Sequence, residues 1–410
     1  MNRHLVYSFI GAVVIIAVLL SGLNSFQGRL DKGAYLTFED AKAALAGLIS
    51  ASPDDIKVSI TDLPPVVDEL GVNIVGAHTS LEEITLGGIK QWILIRGADT
   101  SKPVLLFLHG GPGGAIMPWV DLFHTSLLEQ NFLVVHWDQR GAGKSYNEGL
   151  KVGDISPEKL VEDTLELTHL LQTRFKQDKI FLTGQSWGSA LGFLTIAKDS
   201  RPYHAFIPTS ERVAWQRSLI MGFNWAMEQA KSHNDASTIM KLKAIEPFDP
   251  LDEADLVVQR EALDLYQGGD LYTPGLWDEY LSYVMGSPNP YYTKRDVGNY
   301  LPGLELSSAA IERADIVGQY DLFQSFQKSD IPVHFIMGDN DHNTPADLAF
   351  EYFNFLDAPD KSFTRINNAA HMVLWDQPEV WAKVLVNIKN KMLNNANTTP
   401  LSGDFSQWRK

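Results

Sequence analysis

Between residues 104 and 208 short apolar runs alternate with helical stretches, and this alternation restricts the fold more than any other feature of the chain. VLLFLH (104–109), FLVVHW (132–137), KIFLTG (179–184) and HAFIP (204–208) are nearly continuous in apolar residues. Runs of that kind suit strands buried on both faces of a parallel sheet. PEKLVEDTLELTHLLQTRF (157–175) reads as a helix that Ser156 caps and Pro157 begins. Strand and helix in alternation predict a mostly parallel, doubly wound α/β sheet. An earlier stretch, 54–101, reads as short strands with Gly-rich turns, WILIRG (92–97) among them. Strand-like runs return at IPVHFIMG (331–338) and SFTRIN (362–367), and an amphipathic helix is expected from about Pro378. The intervening block is helical in character, rich in Trp, Tyr and Met, and broken by Pro-Gly pairs. We read it as a cap inserted into the sheet domain.

The expected organisation is a catalytic domain over 81–208 and 326–395, a helical cap over 209–325, and an N-terminal extension over 24–80. A solvated tail (396–410) follows, and a membrane anchor (5–23) comes first. The anchor rests on LVYSFIGAVVIIAVLLSGL, with no Asp, Glu, Lys or Arg between Arg3 and Arg29. About 20 apolar residues span a bilayer core of roughly 30 Å, and a buried core helix of that length would show a polar stripe. The rival reading is a cleaved signal peptide, for which LLSGLNSF supplies a poor cleavage pattern. Arg3 precedes the span while Arg29 and Lys32 follow it, so charge orients it weakly. We expect a single-pass anchor with the catalytic domain outside the cytoplasm.

Composition narrows the partners. Fifty acidic against thirty-four basic residues give a net charge of −16, a field that repels nucleic acid. Cysteine is absent, which removes disulfides, thiolate metal ligands and a thiol nucleophile.

Gly184-Gln-Ser186-Trp-Gly188 directly follows the KIFLT run and precedes a helical segment. A nucleophile elbow needs this strand–turn–helix setting, with small residues around a hydroxyl presented at the sheet edge. G-x-S-x-G alone is also an ordinary Gly-rich turn, so partners decide. A serine needs a base, and the base needs an orienting acid. In this topology they follow in the order Ser, acid, His. Gly338-Asp-Asn-Asp341 ends the IPVHFIM run. Asp341, further into its loop, is the candidate acid, and Asp339 is the reserve. Of eleven histidines only His342 and His371 lie downstream. His342 adjoins the acid too closely in sequence to donate its ring N–H to it in catalytic geometry, which leaves His371 in the small-residue loop NNAAHM. A lone histidine is more often structural; chain order singles this one out. For the oxyanion, His109-Gly-Gly-Pro-Gly-Gly114 offers an unobstructed backbone, with Gly111 as one donor and the Trp187 amide as the second. A phosphate loop is the rival for such glycines, but this loop lacks the Gly-Lys-Ser/Thr ending, and GAGKS (141–145) lacks the P-loop spacing.

HGGPGG (109–114), DQRGAGKS (138–145) and GQSWGS (184–189), in this order, resemble the proline iminopeptidase family of α/β-hydrolases. GDNDHNTP and NNAAHM fall where that family carries its acid and base. The resemblance covers about residues 80–208 and 328–390. It implies an α/β-hydrolase fold and a Ser–Asp–His peptidase that removes an N-terminal residue, classically proline, from small peptides. No metal or cofactor is implied. Family members bind the substrate amine with cap glutamates, one in a Trp-Glu motif that this cap lacks. Glu211 is the expected substitute, with Glu228 and Glu279 behind it. An esterase or amidase on small acyl substrates, or a non-catalytic binding protein, are the alternative readings.

Overall fold

A computed structural model describes residues 63–394 except 124–125, 277–278, 280–282, 284–288 and 312–318. The expected anchor (5–23) and tail (396–410) lie outside the described residues. Among the described residues no helix is long and apolar enough to cross a membrane.

Eight strands form one sheet: β1 (His78–Leu86), β2 (Ile89–Gly97), β3 (Val104–Leu108), β4 (Leu133–Asp138), β5 (Ile180–Gln185), β6 (Tyr203–Thr209), β7 (Val333–Gly338) and β8 (Lys361–Ile366). Their order is β1-β2-β4-β3-β5-β6-β7-β8. β1 and β2 pair antiparallel, as do β2 and β4, and every later pairing is parallel. Gly87 and Gly88, both at positive φ, make the two-residue turn that closes the β1–β2 hairpin. The Gly-rich stretch before residue 101 thus holds two nine-residue strands. β3, β4 and β5 are buried at every position, because helices cover both faces of the parallel part.

The longer helices are α1 (Pro157–Phe175), α2 (Trp187–Lys198), α3 (Trp215–Ser232), α4 (Ala236–Ala244), α5 (Glu253–Leu265), α6 (Lys294–Ile311), α7 (Ala346–Phe355) and α8 (Pro378–Leu393). Ser156 caps α1 by accepting from the Lys159 N–H at 3.3 Å. α3 to α6 all fall between β6 and β7. Two apolar layers sandwich the sheet. One packs Leu106, Leu182 and Phe335 against Leu167, Leu191 and Tyr352; the other packs Leu105, Phe181 and Ile336 against Trp381, Leu385 and Trp119. Loops at the carboxyl ends of β3, β5, β7 and β8 converge, and in open α/β sheets ligands bind at that edge.

Candidate active site

Ser186 directly follows β5 and sits at φ 54° and ψ −117°, a backbone region in which a non-glycine residue is strained. Local bonds hold it there. Its N–H donates to Thr209 O at 3.0 Å, and its own carbonyl accepts from the Ser189 N–H, the Ala190 N–H and the Ser189 hydroxyl. The flanking glycines are required by contact: a Cβ at Gly188 would lie 2.0 Å from Leu108 O, and one at Gly184 2.2 Å from Gly188 O.

His371 Nε2 stands 2.9 Å from Ser186 Oγ, and His371 Nδ1 stands 3.0 Å from Asp341 Oδ2. All three residues are buried. Thr344 fixes the carboxylate: its N–H donates to Asp341 Oδ1 at 2.7 Å and its hydroxyl to Oδ2 at 2.6 Å. Asp339, the reserve acid, instead faces Arg365 at 3.4 Å and is 45% exposed at its side chain. His342 stacks on Trp225 with ring centroids 3.9 Å apart. The geometry therefore joins Ser186, His371 and Asp341 and leaves both alternatives out.

Gly111 comes three residues after the end of β3, and its N–H has no acceptor among the described residues. Trp187 begins α2, so its N–H is one of the four that a helix cannot satisfy internally. His109 braces the loop between them. Burial pushes its pKa down to about 4, so the imidazole is neutral at neutral pH. The Gln139 N–H donates to Nε2 at 3.1 Å, which puts the ring proton on Nδ1, 2.9 Å from Gly110 O. Gln139 also donates to His109 O and accepts from the Trp187 indole.

The other residues of DQRGAGKS extend this brace. Asp138 accepts from the Lys144 N–H and the Tyr292 hydroxyl. Arg140 forms a two-bond pair with Asp163 on α1, and Lys144 pairs with Asp296 on α6. This motif links the Gly111 loop, the sheet and the helices inserted after β6.

A segment after α5 is pinned to the loops that carry Asp341 and His371. The His342 N–H donates to Gly268 O at 2.9 Å, the His371 N–H to Gly269 O at 3.2 Å, and the Met372 N–H to Asp270 O at 2.8 Å. The Asp376 carboxylate accepts from the N–H groups of Tyr272, Thr273 and Ala370 at 2.9–3.0 Å.

A cavity of about 380 Å³ opens beside the expected oxyanion donors, lined by Gly111, Pro112, Trp187, Arg212, Trp215 and Tyr320 among others. That volume suits a small ligand. The structure does not bring Glu211 to this wall. It is 1% exposed, and its Oε1 accepts from the Tyr320 hydroxyl at 3.0 Å. Tyr320 and Arg212 line the cavity, and Glu211 lies behind Tyr320. Glu228 lines a separate cavity of about 210 Å³ beside Asp339 and His342, and Glu279 is exposed. Arg212, Tyr320 and Thr344 were not singled out in the sequence. Of these only Thr344, three residues after Asp341, carries a local signal, because that spacing suits an Asp side chain bonded to a following N–H.

Burial raises the Glu211 carboxyl to about 7. Because this exceeds the unfolded value, the native state holds its proton more tightly. Stability from the neutral form is then complete below about pH 4.5 and is lost as pH rises towards 7. Glu211→Gln, which stays neutral, is expected to gain on wild type between pH 5 and pH 8 by up to about 3 kcal/mol. Urea midpoints at the two pH values measure the difference, and a constant difference would contradict the expectation.

Comparisons with known proteins bear on the fold and on the family the chain resembles. Residues 99–265 match the family described as serine aminopeptidase, S33. The probable aminopeptidase YbaC of Bacillus subtilis is 28% identical over 307 residues, 74% of this chain and 94% of that protein. The proline iminopeptidase of Mycobacterium smegmatis superposes with a TM-score of 0.57 at 17% identity, covering 78% of this chain and all of that one. A proline iminopeptidase-related protein of Thermus thermophilus gives 0.55 at 20% identity, covering 77% and 99%. Fold and site together define an α/β-hydrolase. The chain is similar to proline iminopeptidase-related members of these hydrolases.

Proposed function

We propose that the chain is a serine hydrolase acting through Ser186, His371 and Asp341, and that it releases the N-terminal residue of small peptides. The hydrogen-bonded chain from Asp341 through His371 to Ser186 carries this reading. Ser186 Oγ attacks the scissile carbonyl carbon while its proton passes to His371 Nε2. Asp341 holds the ring with Nδ1 protonated, and the N–H groups of Gly111 and Trp187 receive the oxyanion. The C–N bond breaks, and the amine leaves with the proton from His371. Water then attacks the acyl ester, gives a proton to His371, and the Ser186 hydroxyl re-forms as the acid departs.

Aminopeptidase action is supported by the S33 family match and the relatives' names. One observation favours a second reading, an esterase or amidase: the Glu211 carboxylate, expected to bind an N-terminal amine, is withdrawn behind Tyr320. A panel of free aminoacyl amides, their N-blocked counterparts and nitrophenyl esters separates the two. Rates at least tenfold higher on free-amine substrates are expected, and equal rates on N-blocked ones would shift the assignment to an esterase or amidase. We further propose that residues 5–23 anchor the enzyme in a membrane with the catalytic domain outside the cytoplasm, on the strength of their unbroken apolar run. Resistance of the full-length chain to alkaline extraction, with protease access from outside, is the expected result.

A further inference from the structure

We infer that Ser210, the residue that follows β6, is a positioning residue that holds His371 in register with Ser186 and Asp341. This rests on the hydrolase reading and adds a side chain to the same site.

β6 lies between β5, which ends at the elbow, and β7, which leads to the acid. Thr209 and Ser210, at its end, touch every part of the site. The Thr209 carbonyl accepts from the Ser186 N–H at 3.0 Å. The Ser210 hydroxyl donates to His371 O at 2.6 Å, across 161 residues of chain. The Ser210 carbonyl lies 3.2 Å from the Thr344 hydroxyl. That hydroxyl donates to Asp341 Oδ2 and stands 3.0 Å from His371 Nδ1. The Ser210 N–H donates to Ile336 O of β7 at 2.9 Å, which ties the residue itself to the sheet.

Ser210 is fully buried and adopts φ 52°, the left-handed region in which a side chain is unfavourable and glycine is the usual occupant. Strain of this kind persists where the surrounding contacts over-determine it. Glycine here would relieve the strain and remove the hydroxyl. Among the described residues the His371 carbonyl would then keep only the Gln185 amide, at 3.4 Å. The two holds on the base are distinct. Asp341 and Thr344 set the rotation of the imidazole through Nδ1, whereas Ser210 sets the backbone from which the ring projects. Nε2 is 2.9 Å from Ser186 Oγ, and a misplacement of about 1 Å at a reacting group costs on the order of 100-fold in rate.

The test follows labelling of Ser186 in the full-length chain by a neutral fluorophosphonate, reading both the rate and the fraction labelled. Ser210→Ala and Ser210→Gly are each expected to slow labelling, and kcat with it, by roughly 10- to 100-fold. KM and the labelled fraction should stay near wild type, because Ser210 is not among the residues that line the cavity. Glycine keeps the test decisive where alanine folds poorly, since it relieves the positive φ. A merely structural role would lower the melting temperature and the labelled fraction and leave the rate per folded molecule unchanged. That result overturns the proposal, as do rates within about twofold of wild type in the folded variants. Wild-type labelling with unslowed variants removes the positioning role alone. Absence of wild-type labelling removes the hydrolase reading and this role together.

Discussion

Ser186→Ala is expected to lower kcat by roughly 10⁵-fold while the protein still folds. The size follows from the geometry: the hydroxyl is the atom that would bond to the substrate, and His371 Nε2 lies 2.9 Å from it. Without the nucleophile, the proposed oxyanion donors Gly111 and Trp187 would still polarise a bound carbonyl, which leaves a small residual rate. Folding survives because the contacts that hold the elbow are made by backbone groups and by Ser189, and alanine keeps them. Parallel measurements of turnover and thermal melting check both halves. Retained turnover would remove Ser186 from the mechanism.

Asp163→Ala is expected to cost about 3–5 kcal/mol of stability, because it strands a buried guanidinium. Arg140 and Asp163 are 5% and 0% exposed at their side chains. Both carboxylate oxygens accept from Arg140, at 2.8 and 2.7 Å, and Oδ2 also accepts from Gln91 at 2.8 Å. A loss of this size is a large fraction of a typical domain's 5–15 kcal/mol. Asp163→Asn keeps an acceptor and should lose less. Activity should fall in step, since Arg140 follows Gln139, which holds His109 and the Trp187 indole. Urea midpoints read the loss, and a shift worth under about 1 kcal/mol would show that water satisfies Arg140 instead.

Much of this architecture was legible because it is written locally. The four apolar runs between 104 and 208 became β3 to β6 with boundaries shifted by at most one residue, since strands buried on both faces leave little room for polar alternation. Chain order alone brought Ser186, Asp341 and His371 into one set, because each side chain sits just past a strand's carboxyl end. What the sequence withheld is long-range or depends on facing. Asp138 meets Tyr292 and Lys144 meets Asp296 across more than 150 residues, so DQRGAGKS reads only as a fingerprint until the fold supplies the partners. At the end of β6 neighbouring side chains take opposite directions. Glu211 turns inward to Tyr320 and Arg212 turns to the cavity, and no sequence pattern says which does which.

The three carbonyls of residues 268–270 have a consequence for how such an enzyme admits its substrate. A lid hinged there would drag the imidazole and its carboxylate along as it lifted, so the machinery would come apart whenever the door stood open. A route past Pro157 and Ser325, which line the cavity, would leave that seam closed.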